Sequence, residues 1–256
     1  MVESGITIDV MHCSMQFSDR TPQKKSDAAK ILERADRRKV WWITGTEAGA
    51  GASTDLRAAL EKECKAHNFR FHVAGDTWIA VNRDMIEPKS YDRGATKILD
   101  SSQGVGRHSD RMLTWASFTN PLVGKVSVAC CHYLLQGSKP GDVNYALNKK
   151  IATTIGDWGK KAGAKAALAF YGGDQNIQDR SLDTFLGAPF TSLADELGKY
   201  ESTGHGQIDV IASYNHDGRV KGKYWRALDD KEFPLNTDHY ATEGGFLAMP
   251  VKTPKR

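Results

Sequence analysis

Cysteine is scarce, with four residues in a chain of 256. Cys13, Cys64, Cys130 and Cys131 have neither the spacing of a zinc site nor a disulfide pattern. They read as small apolar fillers in a reducing compartment. No apolar run approaches the length that spans a bilayer, and the N-terminus lacks a basic region followed by a continuous apolar stretch. A soluble cytoplasmic protein is therefore the expectation. There is no long linker, internal repeat or low-complexity segment, so the chain reads as one domain over residues 1–250 with a basic tail over 251–256. An excess of one charge is also missing. The balance of 35 Lys and Arg against 31 Asp and Glu leaves +4, which does not by itself identify a nucleic-acid binder. Basic residues cluster over Arg20–Lys39 and at Lys252, Lys255 and Arg256, but a solvated helix face and a frayed tail account for both equally well.

Hydrophobic periodicity supplies the elements. Ile6–Met11 alternates as a strand, and Ala28, Ile31, Leu32 and Ala35 recur at helical spacing. Val40–Ile43 reads as a short buried strand, followed by a helix capped by Ser53 or Thr54 with Leu56, Ala59, Leu60 and Cys64 facing inward. Phe69–Val73 and Trp78–Val81 flank Gly75-Asp76, a hairpin signal. Arg83–Arg111 is polar and aperiodic, which suggests long surface loops around one short strand. Met112–Phe118 and Val126–Cys131 read as paired strands. Val143, Leu147, Ile151, Ile155 and Trp158 mark a helix over Asp142–Ala162 that Gly163 stops. Lys165–Tyr171, Ile208–Ala212, Lys221–Arg226 and Gly245–Met249 complete the strands. A doubly wound parallel sheet or two packed sheets with outer helices would accommodate this order, and the hairpin signals favour the second.

The chemistry is concentrated in Ala167–Asn176, an apolar strand stopped by Gly172-Gly173 with Asp174 and Asn176 just beyond. Glycines allow close backbone approach to a ligand, and the carboxylate and amide could then face one metal-bound phosphate. An Asx turn would use the same residues. Glu47 follows Val40–Ile43 in a glycine-rich turn, and His132 ends Val126–Cys131. Asp209 lies in the apolar strand Ile208–Ala212, where an unpaired charge is costly and a partner is expected. Asp238-His239 stands near the C-terminus. On the first strand, alternation puts His12, Ser14 and Gln16 on one face.

Together these segments resemble the endonuclease/exonuclease/phosphatase superfamily, the DNase I-like fold, over nearly the whole chain. Gly-Asp-Gln-Asn matches that family's Gly-Asp-x-Asn motif, Cys-Cys-His-Tyr-Leu its strand-ending Thr-His-Leu segment, Gln-Ile-Asp-Val-Ile its Arg-Ile-Asp-Tyr-Ile segment, and Thr-Asp-His-Tyr its Ser-Asp-His-Tyr motif. The resemblance implies an α+β fold, a four-layer α/β/β/α sandwich whose acidic and imidazole residues meet at one end. It implies metal ligation by Glu47 and Asp238, with Ser14 in the metal shell through a metal-held water, and activation of water by Asp174. Asn176 and His132 would contact the phosphate. His239 would be general base or phosphate binder, oriented by Asp209. Two departures stand out: Cys13-Ser14 replaces the family's aromatic-Asn pair, and Gly45-Thr46 replaces the leucine and glutamine usual before the glutamate.

Arg111, with Arg107-His108, is a further candidate for binding phosphate, and Trp115 and Trp225 for stacking on bases, although strand aromatics are usually core. The implied activity is a phosphodiesterase using Mg²⁺ or Mn²⁺, a nuclease with nucleic acid as substrate. The alternatives are a phosphatase acting on a small or lipid phosphoester, and a catalytically weakened binding protein that retains the fold.

Overall fold

In the computed structural model, residues 5–16, 26–48, 54–106, 108–164, 167–176, 190–204, 208–214 and 218–251 are described. Arg107, the Ser53 cap, Gly206-Gln207 and the basic tail Lys252–Arg256 lie outside them.

Strand β1 (Ile6–Ser14) pairs in parallel with β2 (Trp42–Thr46) through the crossover helix α1 (Asp27–Arg38). The side chain of Ser26 caps α1 by accepting from Ala29 N at 3.2 Å, and Lys39 ends it in the left-handed conformation. Helix α2 (Thr54–Ala66) leads into the hairpin β3 (Phe69–Ala74) and β4 (Thr77–Asn82), which turns at Gly75-Asp76 as the sequence suggests. With β11 (Val220–Leu228) and β12 (Ala241–Ala248) these strands form a sheet in the order β11-β12-β1-β2-β4-β3.

The second sheet runs β5-β6-β7-β8-β10-β9. It contains β5 (Asp92–Leu99), β6 (Arg111–Asn120), β7 (Gly124–His132), β8 (Leu168–Asp174), β9 (Phe190–Ser192) and β10 (Asp209–Tyr214). Helix α3 (Tyr145–Ala162) connects the parallel pair β7 and β8, and the short helix α4 (Leu193–Leu197) follows β9. Helices α1 and α2 cover the outer face of the first sheet with Ile31, Leu32, Leu56 and Leu60, and α3 packs Ile151 and Ile155 on the outer face of the second. This is the expected α/β/β/α sandwich, and its fold class is α+β.

Side-chain alternation explains where the polar groups gather. Between the sheets, each inward row begins apolar and turns polar toward the same end: Ile8, Val10, then His12 and Ser14 on β1; Trp42, then Thr44 and Thr46 on β2. The same change runs through Val126, Val128, Cys130 and His132 on β7, and through Leu168, Phe170, Gly172 and Asp174 on β8. Val143 is a correction: it lies outside the helix, 60% exposed, because α3 begins only at Tyr145. All four cysteines are buried and free, as fillers should be.

Candidate functional site

Two hydrogen-bonded groups meet at the polar end of the inter-sheet space. In the first, His239 Nδ1 lies 2.7 Å from Asp209 Oδ2, and His12 Nε2 lies 3.2 Å from Asp209 Oδ1. His12 Nδ1 in turn lies 3.0 Å from Thr44 Oγ1. This is the partner that the buried charge of Asp209 requires, and it comes from both sides. The loop carrying His239 is pinned to the rest of the fold. Thr237 Oγ1 donates to Ser14 O at 2.9 Å, and Asn236 N donates to Asp27 Oδ2 at 2.9 Å.

The second group surrounds His132. Its Nδ1 lies 2.8 Å from Asp76 Oδ2, which also pairs with Arg111 Nη1. Its Nε2 lies 2.9 Å from Asn176 Nδ2 and 3.5 Å from Asp174 Oδ2. Asn176 Nδ2 also donates to Tyr133 O at 3.0 Å, so contact between this amide and a phosphate requires its release from His132. Asn176 N donates to Asp174 Oδ1 at 2.8 Å, so the Asx turn is formed as well. Arg111 is buried by the pairing with Asp76 and reaches the site through His132.

Asp174 stands between the two groups, its Oδ2 3.9 Å from His239 Nε2. Burial pushes its carboxyl up to about 6; His132 and His239 oppose this, while Asp209 and Glu47 add to it. Asp209 is held well below the usual carboxylate range: burial works against this, but the His239 and His12 imidazoles outweigh it. For His239, burial disfavours the imidazolium, yet Asp209, Asp174 and Asp238 together raise it to about 10. His132 is also raised, with burial and Arg111 opposed by Asp76 and Asp174. Burial and the neighbouring charges thus leave both Asp174 and His239 raised above their ordinary values.

Ser14 Oγ donates to Glu47 Oε2 at 3.0 Å, which joins the ends of β1 and β2. Glu47 adopts φ 63°, a left-handed conformation that disfavours a glutamate and concentrates at functional turns. Asp238 Oδ1 lies 3.9 Å from His239 Nε2. Ligand atoms of Asp174, Asp209 and His239 lie within 4.8 Å of one another. Both oxygens of Asp209 are already engaged by imidazoles, however, so a hard cation at this end would draw on other carboxylates, for which Glu47 and Asp238 are the candidates from the sequence. Asp209 and Glu47 add to the effect of burial on Asp174, so negative charge gathers at this end, which fits a cation there.

Several sequence expectations are revised. Gly172 and Gly173 were expected to admit a ligand; instead a Cβ at Gly172 would lie 2.1 Å from Thr44 Oγ1, and one at Gly173 would lie 2.2 Å from the Tyr171 hydroxyl. They make room for protein. Gly45 likewise gives place to the Trp78 ring, 2.2 Å from where its Cβ would be, so the small residue before Thr46-Glu47 follows from packing. Trp225 is buried in the inter-sheet core and Trp115 packs against the α3 side, which leaves Trp225 no face for a base. The His108 ring is taken up by the carbonyls of Gln103 and Ser109. Asp76 was missed, because beside Gly75 it reads as a turn residue. His12 was noted only for its strand face.

The two packed sheets with outer helices, and the polar residues gathered at one end of them, are those of the DNase I-like class of fold. The chain has the fold of the endonuclease/exonuclease/phosphatase proteins. An endonuclease/exonuclease/phosphatase from Bacteroides vulgatus superposes with a TM-score of 0.68 at 13% identity, over 95% of this chain and 99% of that one. TDP2 of D. rerio, complexed with single strand DNA product, gives 0.65 at 13% identity over 94% and 98%. A mannosyl-6-phosphatase from Bacteroides thetaiotaomicron VPI-5482 gives 0.64 at 13% identity over 94% and 99%. No protein-family model matches the sequence, and no curated protein matches it.

Proposed function

We propose that the protein is a divalent-metal-dependent phosphoesterase that hydrolyses a phosphodiester by in-line attack of water, with a polynucleotide as the first substrate class. The observation that carries this reading is the placement of Asp174 between two imidazoles of opposite attachment, His132 from one sheet and His239 from the loop entering the other. Asp174 takes the proton of the attacking water. His239, oriented by Asp209, donates to a phosphate oxygen or the leaving oxygen. His132 is held by Asp76 with Arg111 behind it, and its Nε2, once released by Asn176, can carry a proton toward the phosphate from the other side. Glu47 and Asp238 would hold Mg²⁺ or Mn²⁺, with Ser14 orienting Glu47. When bound, the metal would neutralise phosphate charge. No membrane-crossing helix is found among the described residues.

A nucleic-acid substrate is supported by the fold shared with TDP2 in its complex with single strand DNA product. A small sugar phosphate is the second reading, since a mannosyl-6-phosphatase shares the fold to a similar degree. A panel of single- and double-stranded DNA, RNA and small phosphoesters, assayed in Mg²⁺ and Mn²⁺ with and without chelator, tests the proposal. Chelator-sensitive cleavage of a polynucleotide, with binding that weakens steeply as salt rises, supports the first reading. Cleavage of small monoesters alone selects the second. Ligand binding without turnover anywhere on the panel would identify a binding protein that retains the fold.

A further inference from the structure

Asp209 has an imidazole on each oxygen, and of the two it is His239 that reaches toward Asp174. His239 meets Oδ2 from the loop before β12. His12 meets Oδ1 from within the sandwich, where both His12 and Asp209 have no solvent exposure. His12 belongs to β1 in one sheet and Asp209 to β10 in the other, so this bond crosses the inter-sheet space. Asp209 accepts, which puts a His12 proton on Nε2, and His12 Nδ1 meets the Thr44 hydroxyl. Thr44 can stand there because Gly172 has no side chain to meet it.

We propose that His12 is a positioning residue: by holding Asp209 Oδ1 it stops the carboxylate turning about its Cβ–Cγ bond, and so fixes the ring of His239 toward Asp174. A carboxylate bound only by His239 would turn with it. The grip of His12, itself fixed by Thr44, converts a single flexible pair into a rigid row of Thr44, His12, Asp209 and His239. Outer hydrogen-bond partners of this kind act through the groups they orient.

The turnover arm of the test rests on the hydrolytic reading above; the spectroscopic arm does not. His12→Leu removes both bonds. His12→Gln keeps an amide N–H within reach of Asp209, whereas His12→Asn is too short and meets only Thr44. The measurements are kcat and KM on bis(p-nitrophenyl) phosphate with Mg²⁺, thermal melting, and the downfield proton resonance of His239 Nδ1–H against Asp209. That resonance is assigned by its loss in His239→Gln. Leu and Asn are expected to broaden or displace it and to lower kcat about 10- to 100-fold with KM unchanged, while Gln recovers most of both. An unaltered resonance and kcat in Leu and Asn overturn the proposal, as does a Gln variant that falls as far as Leu. If the Leu variant does not fold, the contrast between Asn and Gln carries the comparison. Should the wild type leave the diester intact, the hydrolytic reading is what fails for that substrate, and the resonance still decides the role of His12.

Discussion

Asp174 and Asp209 stand directly opposite one another on the antiparallel strands β8 and β10, two carboxylates in register at the polar end of the sandwich. Neighbouring like charges in a buried place cannot be equally stable, and the structure resolves the conflict by unequal compensation. Asp209 takes imidazole bonds at 2.7 and 3.2 Å, whereas Asp174 meets its imidazoles only at 3.5 and 3.9 Å. One carboxylate is consequently a fixed charge and the other holds a proton more readily.

Replacing Asp174 with Asn should abolish most turnover while raising stability at neutral pH. The amide preserves the shape and can still accept from Asn176 N, but it removes a buried charge whose ionisation is delayed to about 6 from 3.8. The gain is on the order of 1–3 kcal/mol. Turnover and melting temperature measured on one preparation check this. Activity close to wild type would take Asp174 out of the mechanism.

The pH dependence of kcat/KM should be bell-shaped, rising through about 6 as Asp174 ionises and falling toward about 10 as His239 loses its proton. The stability signs are opposite for the two limbs. The folded pKa of His239 is raised, so its contribution is complete below 6.5 and disappears as pH rises through about 10. The folded pKa of Asp174 is raised by burial, so stability falls as pH climbs from 3.8 to about 6 and is level above that. Rate profiles and urea unfolding across pH 4–11, roughly the range these groups span, would show both. A rate with no rising limb would contradict the role of Asp174 as base.

Asp76→Ala should be costly to stability and activity alike. It leaves the buried guanidinium of Arg111 uncompensated and removes the carboxylate that orients His132. Breaking one side of a buried ion pair destabilises by about 3–5 kcal/mol. The double variant Asp76→Ala with Arg111→Met should recover part of that stability without recovering turnover. Denaturant midpoints and initial rates separate the two effects.

Glu47→Gln should weaken binding of Mn²⁺ in calorimetric titration, because a neutral amide is a poorer partner for a hard cation than a carboxylate. Ser14→Ala should weaken it less, since the hydroxyl acts on Glu47 Oε2. Equal dissociation constants for all three proteins would place the cation elsewhere.

Local rules made much of the fold legible. Gly75-Asp76 announced the β3–β4 hairpin, and apolar spacing announced α1 and α3, because those signals are carried by adjacent residues. β5 was blurred because six of its eight residues lack the buried alternation that marks a strand. β9 has only three residues and gives periodicity no room. At the polar end of the sandwich, the groups carried by recognisable segments were legible as candidates, but their connections were not. Asp76 meets His132 across 56 positions of sequence, and His12 meets Asp209 across 197. Such pairings arise only when the two sheets dock. Even the glycines of Gly172-Gly173 could be read as ligand space until Thr44 and Tyr171 occupied it.

The docking has a thermodynamic corollary. Ser14 and His12 belong to one sheet, with Glu47 just beyond its β2, and Asp174, Asp209 and His132 belong to the other, so a molecule lodged among them would touch both halves of the sandwich. Its binding energy is then also energy of sheet cohesion, available only when the layers are together. An inert occupant of this end would work as a bolt through the two plates, raising the melting temperature in proportion to the logarithm of its excess concentration although no bond in it is ever cut.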